Sequence, residues 1–237
     1  MAYTLTDLIN RVKQVVGNRT STAVNDAWYT DRINSGYRRL CTFQGPVTRP
    51  GMSQPQFRVL RFFELERRDA RSLATATTNF VTPTASNVVY VVDIYDRTNN
   101  RGLKRSSKRE LRRFDPDEGG TPRFWSPAGN AGTVGYEIYP YPTATTDAID
   151  VYEYTYVYPT ALASATDTPV IPEAWQPAIW MAAAAEAASL LNIPEKSQEM
   201  ETRFTGFIAE RKSPREEAAY SGRAGARTNI MVGEYQS

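Results

Sequence analysis

The densest group of chemically active side chains is a basic segment in the middle of the chain. Residues 97–113 contain eight lysines and arginines but only one acid, Glu110, so the segment has a formal charge of +7. Guanidinium and ammonium groups at this density bind phosphates or carboxylates through charge-assisted hydrogen bonds. The candidate contact residues are Arg101, Lys104, Arg105, Lys108, Arg109, Arg112 and Arg113.

Two interpretations of this basic segment stay open. It could contact DNA phosphates or an acidic partner surface, or it could be a solvated hairpin and a short helix with scattered ion pairs. The acidic turn Asp115–Glu118 lies next to it and could neutralise part of the charge. An acidic protein partner is favoured over sequence-specific DNA, because no recognition helix with base-reading Asn or Gln is present.

Side chains suited to catalysis are scarce. Histidine is absent and Cys41 is the single cysteine, which excludes Ser-His-Asp and Cys-His nucleophilic systems, an internal disulfide and a thiolate zinc site. Acidic pairs such as Glu64/Glu66 and Glu216/Glu217 have no recognisable catalytic context, and no glycine-rich loop precedes a Lys-Ser/Thr pair. We therefore expect a protein without enzymatic activity, metal or cofactor.

The composition is that of a folded domain. The chain has 237 residues, 41% of them hydrophobic, and a net charge of +2, which is too small for bulk attraction to nucleic acid or membrane. The N-terminus has no signal-peptide pattern. Residues 174–193 are apolar but contain Glu186 and many alanines, which favours a buried helix over a membrane span. The expectation is a soluble protein that is intracellular at synthesis.

Apolar residues at helical spacing predict two helices at each end of the chain. Residues 4–17 begin with a Thr4/Asp7 capping box and end at Gly17, and residues 24–41 follow as a second helix. An alanine-rich helix is predicted over 173–192, with Pro172 at its start and Pro194 after its end, and a further helix over 195–212.

The middle of the chain has a different character. Residues 42–168 hold ten of the fifteen prolines. Strands are predicted over 88–95, 135–139 and 149–158, because β-branched and aromatic residues are concentrated there. Several strands joined by turns favour an antiparallel sheet or a small sandwich.

These elements predict an α+β fold with an inserted lobe. Neither helical pair can bury both of its faces alone, so residues 1–45 and 169–212 are predicted to form a four-helix bundle. Residues 46–168 form an inserted antiparallel β-rich lobe, and residues 213–237 form an extended C-terminal arm. The arm has few core residues but scattered polar and apolar contact residues, which is typical of a segment that docks on a partner: Arg215, Tyr220, Arg223, Arg227, Ile230, Met231 and Tyr235.

The order of these features over residues 4–212 resembles the head–tail adaptor, or connector, proteins of tailed bacteriophages. Residues 31–40 (Asp-Arg-Ile-Asn-Ser-Gly-Tyr-Arg-Arg-Leu) are similar to the second helix of that family. Residues 103–116 and 120–125 are similar to its central insert. Residues 136–142, which end in Pro-Tyr-Pro, and 152–175 are similar to its later strands and the entry to its third helix.

The resemblance implies a structural subunit of the virion neck, assembled in the host cytoplasm. It implies a ring, typically of twelve copies, that lies beneath the portal protein, extends the channel for genomic DNA without sequence-specific contact, and contacts a tail or nozzle protein. It implies no membrane partner, and it assigns the arm 213–237 to the portal. The competing hypotheses are a DNA-binding module that uses residues 97–113 and a hydrolase that uses a carboxylate pair.

Overall fold

The computed structural model describes residues 2–47, 56–74, 79–111, 113, 118–130 and 133–211. The helices are α1 Leu5–Val16, α2 Asp26–Cys41, α3 Lys108–Leu111, α4 Pro177–Leu190 and α5 Pro194–Glu210. The strands are β1 Gln44–Val47, β2 Gln56–Val59, β3 Glu66–Leu73, β4 Phe80–Val81, β5 Val88–Asp96, β6 Arg101–Gly102, β7 Lys104–Arg105, β8 Phe124–Asn130, β9 Thr133–Tyr139 and β10 Ile149–Val157. The mixed α+β class is confirmed.

The chain divides into two compact units. The helical unit contains residues 1–64 and 159–237, and the β unit contains Leu65–Tyr158. Among the described residues, 46–47, 56–64 and 159–168 belong to the helical unit, and the predicted domain boundaries stay a prediction. The physical reason for this grouping is local packing: β1 contacts α5, and Asn34 of α2 exchanges two hydrogen bonds with the backbone of Leu162.

The start of α1 is confirmed as a capping box. The hydroxyl of Thr4 accepts from the backbone N–H of Asp7 at 3.2 Å, and the Asp7 carboxylate accepts from the backbone N–H of Thr4 at 3.0 Å. The helix ends at Gly17, which has a φ of 81°. The buried face consists of the predicted residues Leu5, Leu8, Ile9, Val12 and Val16.

Helix α4 is the centre of the helical unit. It packs against α1, α2 and α5, and most of its alanines are buried. Small side chains allow this close approach: a Cβ placed on Gly36 of α2 would lie 2.7 Å from the carbonyl oxygen of Ile179 and 2.8 Å from the backbone nitrogen of Ala183. The four long helices therefore share one core around α4, and a regular four-helix bundle stays a prediction.

The prolines near α4 act differently from the prediction. Pro172 precedes a 3-10 turn at Glu173–Trp175, and the α-helix begins at Pro177. Pro194 is the first residue of α5 and does not simply end α4. Proline suits both first positions because its φ is already helical and its missing N–H would have no partner there.

A long segment before α4 is held by buried side chains. Gln176, which is 1% exposed, donates from Nε2 to the carbonyls of Pro169 and Ile171. Its Oε1 accepts from the backbone N–H of Tyr3 at 2.8 Å. One amide therefore connects the N-terminus, residues 159–172 and the start of α4.

The β unit consists of two four-stranded sheets with the orders β3-β10-β5-β6 and β4-β9-β8-β7. The pairs are antiparallel except β7–β8, which is parallel. The three predicted strands correspond to β5, β9 and β10. Both sheets contribute to one apolar core: Leu73, Val81, Val91, Ile94, Leu103, Trp125, Tyr136, Ile138, Ile149 and Val151.

A buried carboxylate connects the two sheets through this core. Glu153 of β10 is fully buried, and it accepts from the hydroxyl of Tyr136 at 2.6 Å and from the backbone N–H of Thr84 at 2.7 Å. Arg71 of β3 lies 3.3 Å away and completes the ion pair. The network links both sheets, and burial together with the Glu153 charge raises the pKa of Tyr136 above its usual value.

Candidate interaction surfaces

The basic segment is distributed over several elements of the β unit. Arg101 lies in β6, Lys104 and Arg105 in β7, and Lys108 and Arg109 in α3. Arg113 follows α3, and Arg112 lies outside the described residues. The segment therefore forms a turn, two short strands and one helical turn, and its cations do not line a single helix face.

Several of these cations have structural partners. The Nε of Arg101 lies 3.4 Å from Oδ2 of Asp96, and the Nζ of Lys108 lies 3.0 Å from Oε1 of Glu137. Lys104 lies over the ring of Phe124, and Arg105 lies over a further aromatic ring, that of Trp125. These contacts lie within the β unit, and both interpretations of the basic segment stay open.

Asp96 explains the position of Arg101. Its carboxylate is fully buried at the end of β5, and it accepts from the backbone N–H of Asn99 at 3.0 Å and from the Asn99 side chain at 2.8 Å. A buried charge is costly unless it is paired and hydrogen-bonded. Arg101 therefore stabilises the turn between β5 and β6.

Helix α3 begins with a second capping box. The Glu110 carboxylate accepts from the backbone N–H of Ser107 at 2.8 Å, and the Ser107 hydroxyl accepts from the N–H of Glu110 at 3.2 Å. The backbone bond from Ser107, followed by a bond that the Ser107 hydroxyl donates to the same carboxylate, lowers the pKa of Glu110. The single acid of the basic segment is thus used locally, and Arg109 is exposed beside it.

The β unit carries no net charge. Leu65–Tyr158 contains twelve lysines and arginines and twelve aspartates and glutamates. Long-range attraction to a polyanion depends on net positive charge. DNA binding by the basic segment stays a prediction, and this balance of charges does not favour it.

An exposed apolar surface lies on the β1–β2 hairpin of the helical unit. Phe57 and Val59 are 70% and 48% exposed, and the exposed Pro46 is the register partner of Phe57. Between them Arg58 reaches α5, where its Nη1 donates to the carbonyls of Ile208, at 3.0 Å, and Arg211. We call Pro46, Phe57 and Val59 the hairpin face. The Arg58 contacts hold the strand that carries this face on α5.

Of the acids considered for catalysis, the structure describes Glu64 and Glu66, which lie in different elements. Glu64 lies in a 3-10 turn and Glu66 at the start of β3, while Glu216 and Glu217 lie outside the described residues. Burial and the nearby charge of Glu64 raise the pKa of the Cys41 thiol, which disfavours the reactive thiolate. Among the residues that the structure describes, no group of three or more acids or cysteines is placed to hold a metal.

Two segments singled out in the sequence lie outside the described residues. They are residues 115–117 of the acidic turn and the arm residues Arg215, Tyr220, Arg223, Arg227, Ile230, Met231 and Tyr235. In the described part of the chain, no helix has the length and apolar character needed to cross a bilayer.

One cluster of aromatic and basic side chains was not predicted from the sequence. Tyr152 of β10 contacts Arg68 of β3 and Arg97, which follows β5. Arg68 and Tyr152 are 84 residues apart, so no local pattern could associate them. The available signal was the alternation of β10, which assigns Tyr152 to the outer face of its sheet.

Comparison with known families identifies the chain. Residues 3–228 match the family described as SU10 adaptor protein. A comparison with curated proteins finds no match. The match covers nearly the whole chain, so this protein belongs to the SU10 adaptor protein family. Membership makes it a structural phage adaptor at the head–tail junction, which interacts with other head and tail proteins.

Proposed function

We propose that the protein forms a ring under the portal, extends the DNA channel and provides the docking platform for the tail. The observation that carries the proposal is the family match over residues 3–228. A closed ring needs head-to-tail contacts between copies, in which two different patches of each subunit meet. Twelve is the copy number that we expect.

The hairpin face supports an assembling subunit. Large apolar side chains held at the surface are typical of the centre of a protein interface, and Phe57 is the most exposed of them in the described part of the chain. Covering Phe57 and Val59 would stabilise each contact by about 2–4 kcal/mol. This energy strengthens an interface whose remaining area is formed by the surrounding polar residues.

The C-terminal arm is proposed as the segment that docks on the portal. Its support is its composition, in which arginines and apolar residues are separated by small residues. The zero formal charge of the β unit gives no bulk attraction to a polyanion, which suits a channel through which the genome passes without being held.

Cryo-EM of the native particle tests the ring directly. The expected result is symmetric density between portal and tail, into which copies of the helical unit fit around a central hole. A single copy, or an adaptor located away from the channel, would refute the proposal.

Variants then separate the two contact surfaces. Phe57→Ser with Val59→Ser should weaken assembly between copies, whereas ending the chain after Arg211 should leave copies able to associate but reduce portal binding. Leu190→Ser is the matched control, because Leu190 is 54% exposed in the same unit but lies at the end of α4. Unchanged portal binding by the shortened chain would refute the role of the arm.

A further inference from the structure

The outer face of the β3-β10-β5 sheet carries an unusual cluster of side chains. Tyr152 lies at the middle of β10, between the buried residues Val151 and Glu153, so its ring is on the opposite face from the core. The guanidinium carbon of Arg68 lies 4.7 Å from the centroid of this ring, and that of Arg97 also lies 4.7 Å from it. We call Arg68, Tyr152 and Arg97 the Arg–Tyr–Arg cluster.

The two arginines reach the ring from opposite sides of β10. Arg68 is in β3, which pairs with one edge of β10, and the N–H of Arg97 donates to Asp150 from the side of β5. Each cation–π contact attracts a guanidinium group to the face of the ring. The ring therefore restricts two long side chains that would otherwise lose their rotamer freedom on binding.

Neither arginine has an anionic partner in the described part of the chain. This distinguishes them from Arg71 and Arg101, which form ion pairs with buried carboxylates. Arg68 and Arg97 are exposed, and stacking on a ring leaves the edge of a guanidinium group available for hydrogen bonds. Two pre-oriented guanidinium groups can form paired hydrogen bonds with carboxylates or phosphates.

The surrounding residues favour carboxylates of a protein over the phosphates of a nucleic acid. Asp150 is exposed on the same outer face, and Asp93 is the register partner of Tyr154 on that face. A continuous phosphate backbone would meet these two acids. A protein surface can place acids at the arginines and donors at the aspartates, and Tyr and Arg are the side chains that most often dominate such contacts.

We propose that this outer face is a docking surface for a protein partner, which binds by placing carboxylates on the guanidinium groups of Arg68 and Arg97. Tyr152 acts as a positioning residue that holds both groups. Arg97 is the first residue of the basic segment 97–113, whereas Arg68 and Tyr152 lie outside that segment. None of the three belongs to the hairpin face or to the C-terminal arm, and the role of this surface does not depend on ring formation.

Binding of a fluorescein-labelled decaglutamate peptide to the full chain tests the chemistry. Fluorescence anisotropy at low salt should show binding that weakens at least tenfold in Arg68→Gln with Arg97→Gln, because charge-assisted hydrogen bonds contribute about 1.5–3 kcal/mol each. Tyr152→Leu keeps both charges but removes both cation–π contacts, and it should weaken binding about twofold to fivefold because the ring no longer pre-orients the guanidinium groups. Circular dichroism spectra that match the parent chain establish that each variant is folded.

Arg123→Gln is the control, because it removes an exposed cation that lies just before β8 in the same unit and is not one of the candidate contact residues. It removes one charge and should change the affinity less than twofold. A loss per charge in Arg123→Gln equal to that in the double variant would show that only net charge matters, and would overturn the proposal. So would the absence of peptide binding by the parent chain, or tighter binding of duplex DNA of equal charge that is lost in the double variant.

The neck structure provides an independent measurement. In the assembled particle, we expect carboxylate oxygens of a neighbouring protein within 4 Å of the guanidinium groups, the ordinary limit for an ion pair. A ring in which both guanidinium groups face solvent would overturn this proposal and leave the proposed ring intact. A particle without a ring would refute the proposed function, and the peptide measurement would still decide the docking surface.

Discussion

The contact between α2 and α4 at Gly36 supports a quantitative prediction. A Cβ at this position would lie 2.7 Å from the carbonyl oxygen of Ile179, 2.8 Å from the backbone nitrogen of Ala183 and 3.2 Å from its Cβ. Ordinary contact begins near 3.4 Å, so Gly36→Ala forces a shift of about 0.7 Å between two helix backbones. Neither backbone atom belongs to a side chain that could rotate away.

Two effects of opposite sign determine the size of this change. Overpacking of a close contact costs about 1–3 kcal/mol, and the backbone clash here favours the upper part of that range. Replacing glycine by alanine inside a helix returns up to about 1 kcal/mol. We therefore expect Gly36→Ala to lower the free energy of unfolding by about 1–2 kcal/mol, and Gly36→Val to lower it further.

Urea unfolding followed by circular dichroism at 222 nm measures this change, because the long helices all lie in the helical unit. Gly206→Ala is the matched control: Gly206 lies inside α5, and its added Cβ would meet no atom within 4 Å. The control should raise stability by up to about 1 kcal/mol. If Gly36→Ala is as stable as Gly206→Ala, the close approach of α2 and α4 is wrong.

Three further predictions concern buried polar groups. Gln176→Leu should cost about 2–4 kcal/mol, because it leaves two carbonyls and the N–H of Tyr3 without their partner, and urea midpoints measure this; an unchanged midpoint would contradict it. Asn34→Ala should increase hydrogen exchange at the amide of Leu162, and exchange as slow as in the parent chain would count against the paired hydrogen bonds. Burial, and then the charge of Glu153, raises the pKa of Tyr136 in the folded state. The protonated hydroxyl therefore contributes fully to the free energy of unfolding below the unfolded pKa of 10.0, and this contribution is lost as the pH rises above that value. Melting temperatures from pH 8 to 11 should therefore fall at the alkaline end, less steeply in Tyr136→Phe, and equal slopes would refute this.

Elements with strong local patterns could be predicted from the sequence. The capping box at Thr4, the apolar stripe of α1 and the dense β-branched run of β5 depend on neighbours within a few residues, so their position follows from local chemistry. Helix α4 begins at Pro177, not at residue 173 as predicted, because a 3-10 turn after Pro172 satisfies the same local rules as a helix start. Such near-equal alternatives are decided by packing.

The contacts of the candidate surfaces could not be predicted from local sequence patterns. The charge density of residues 97–113 is visible in the sequence, but its partners Asp96, Glu137 and Trp125 are fixed by strand pairing. The hairpin face could not be predicted from the sequence, because the residue types of Phe57, Arg58 and Val59 do not indicate which side of β2 faces α5. The structure shows that Arg58 contacts α5 and that Phe57 and Val59 are exposed.

Residue types and hydrophobic periodicity were enough to predict the α+β class, and the resemblance over residues 4–212 predicted a structural role for this chain. Tertiary structure alone decided which charges are neutralised, that α4 is the central helix, and that Arg68 and Arg97 meet at Tyr152. The reason is that helix and strand formation depend on interactions within a few residues, whereas an ion pair or a ring contact depends on distances between side chains that are far apart in the sequence.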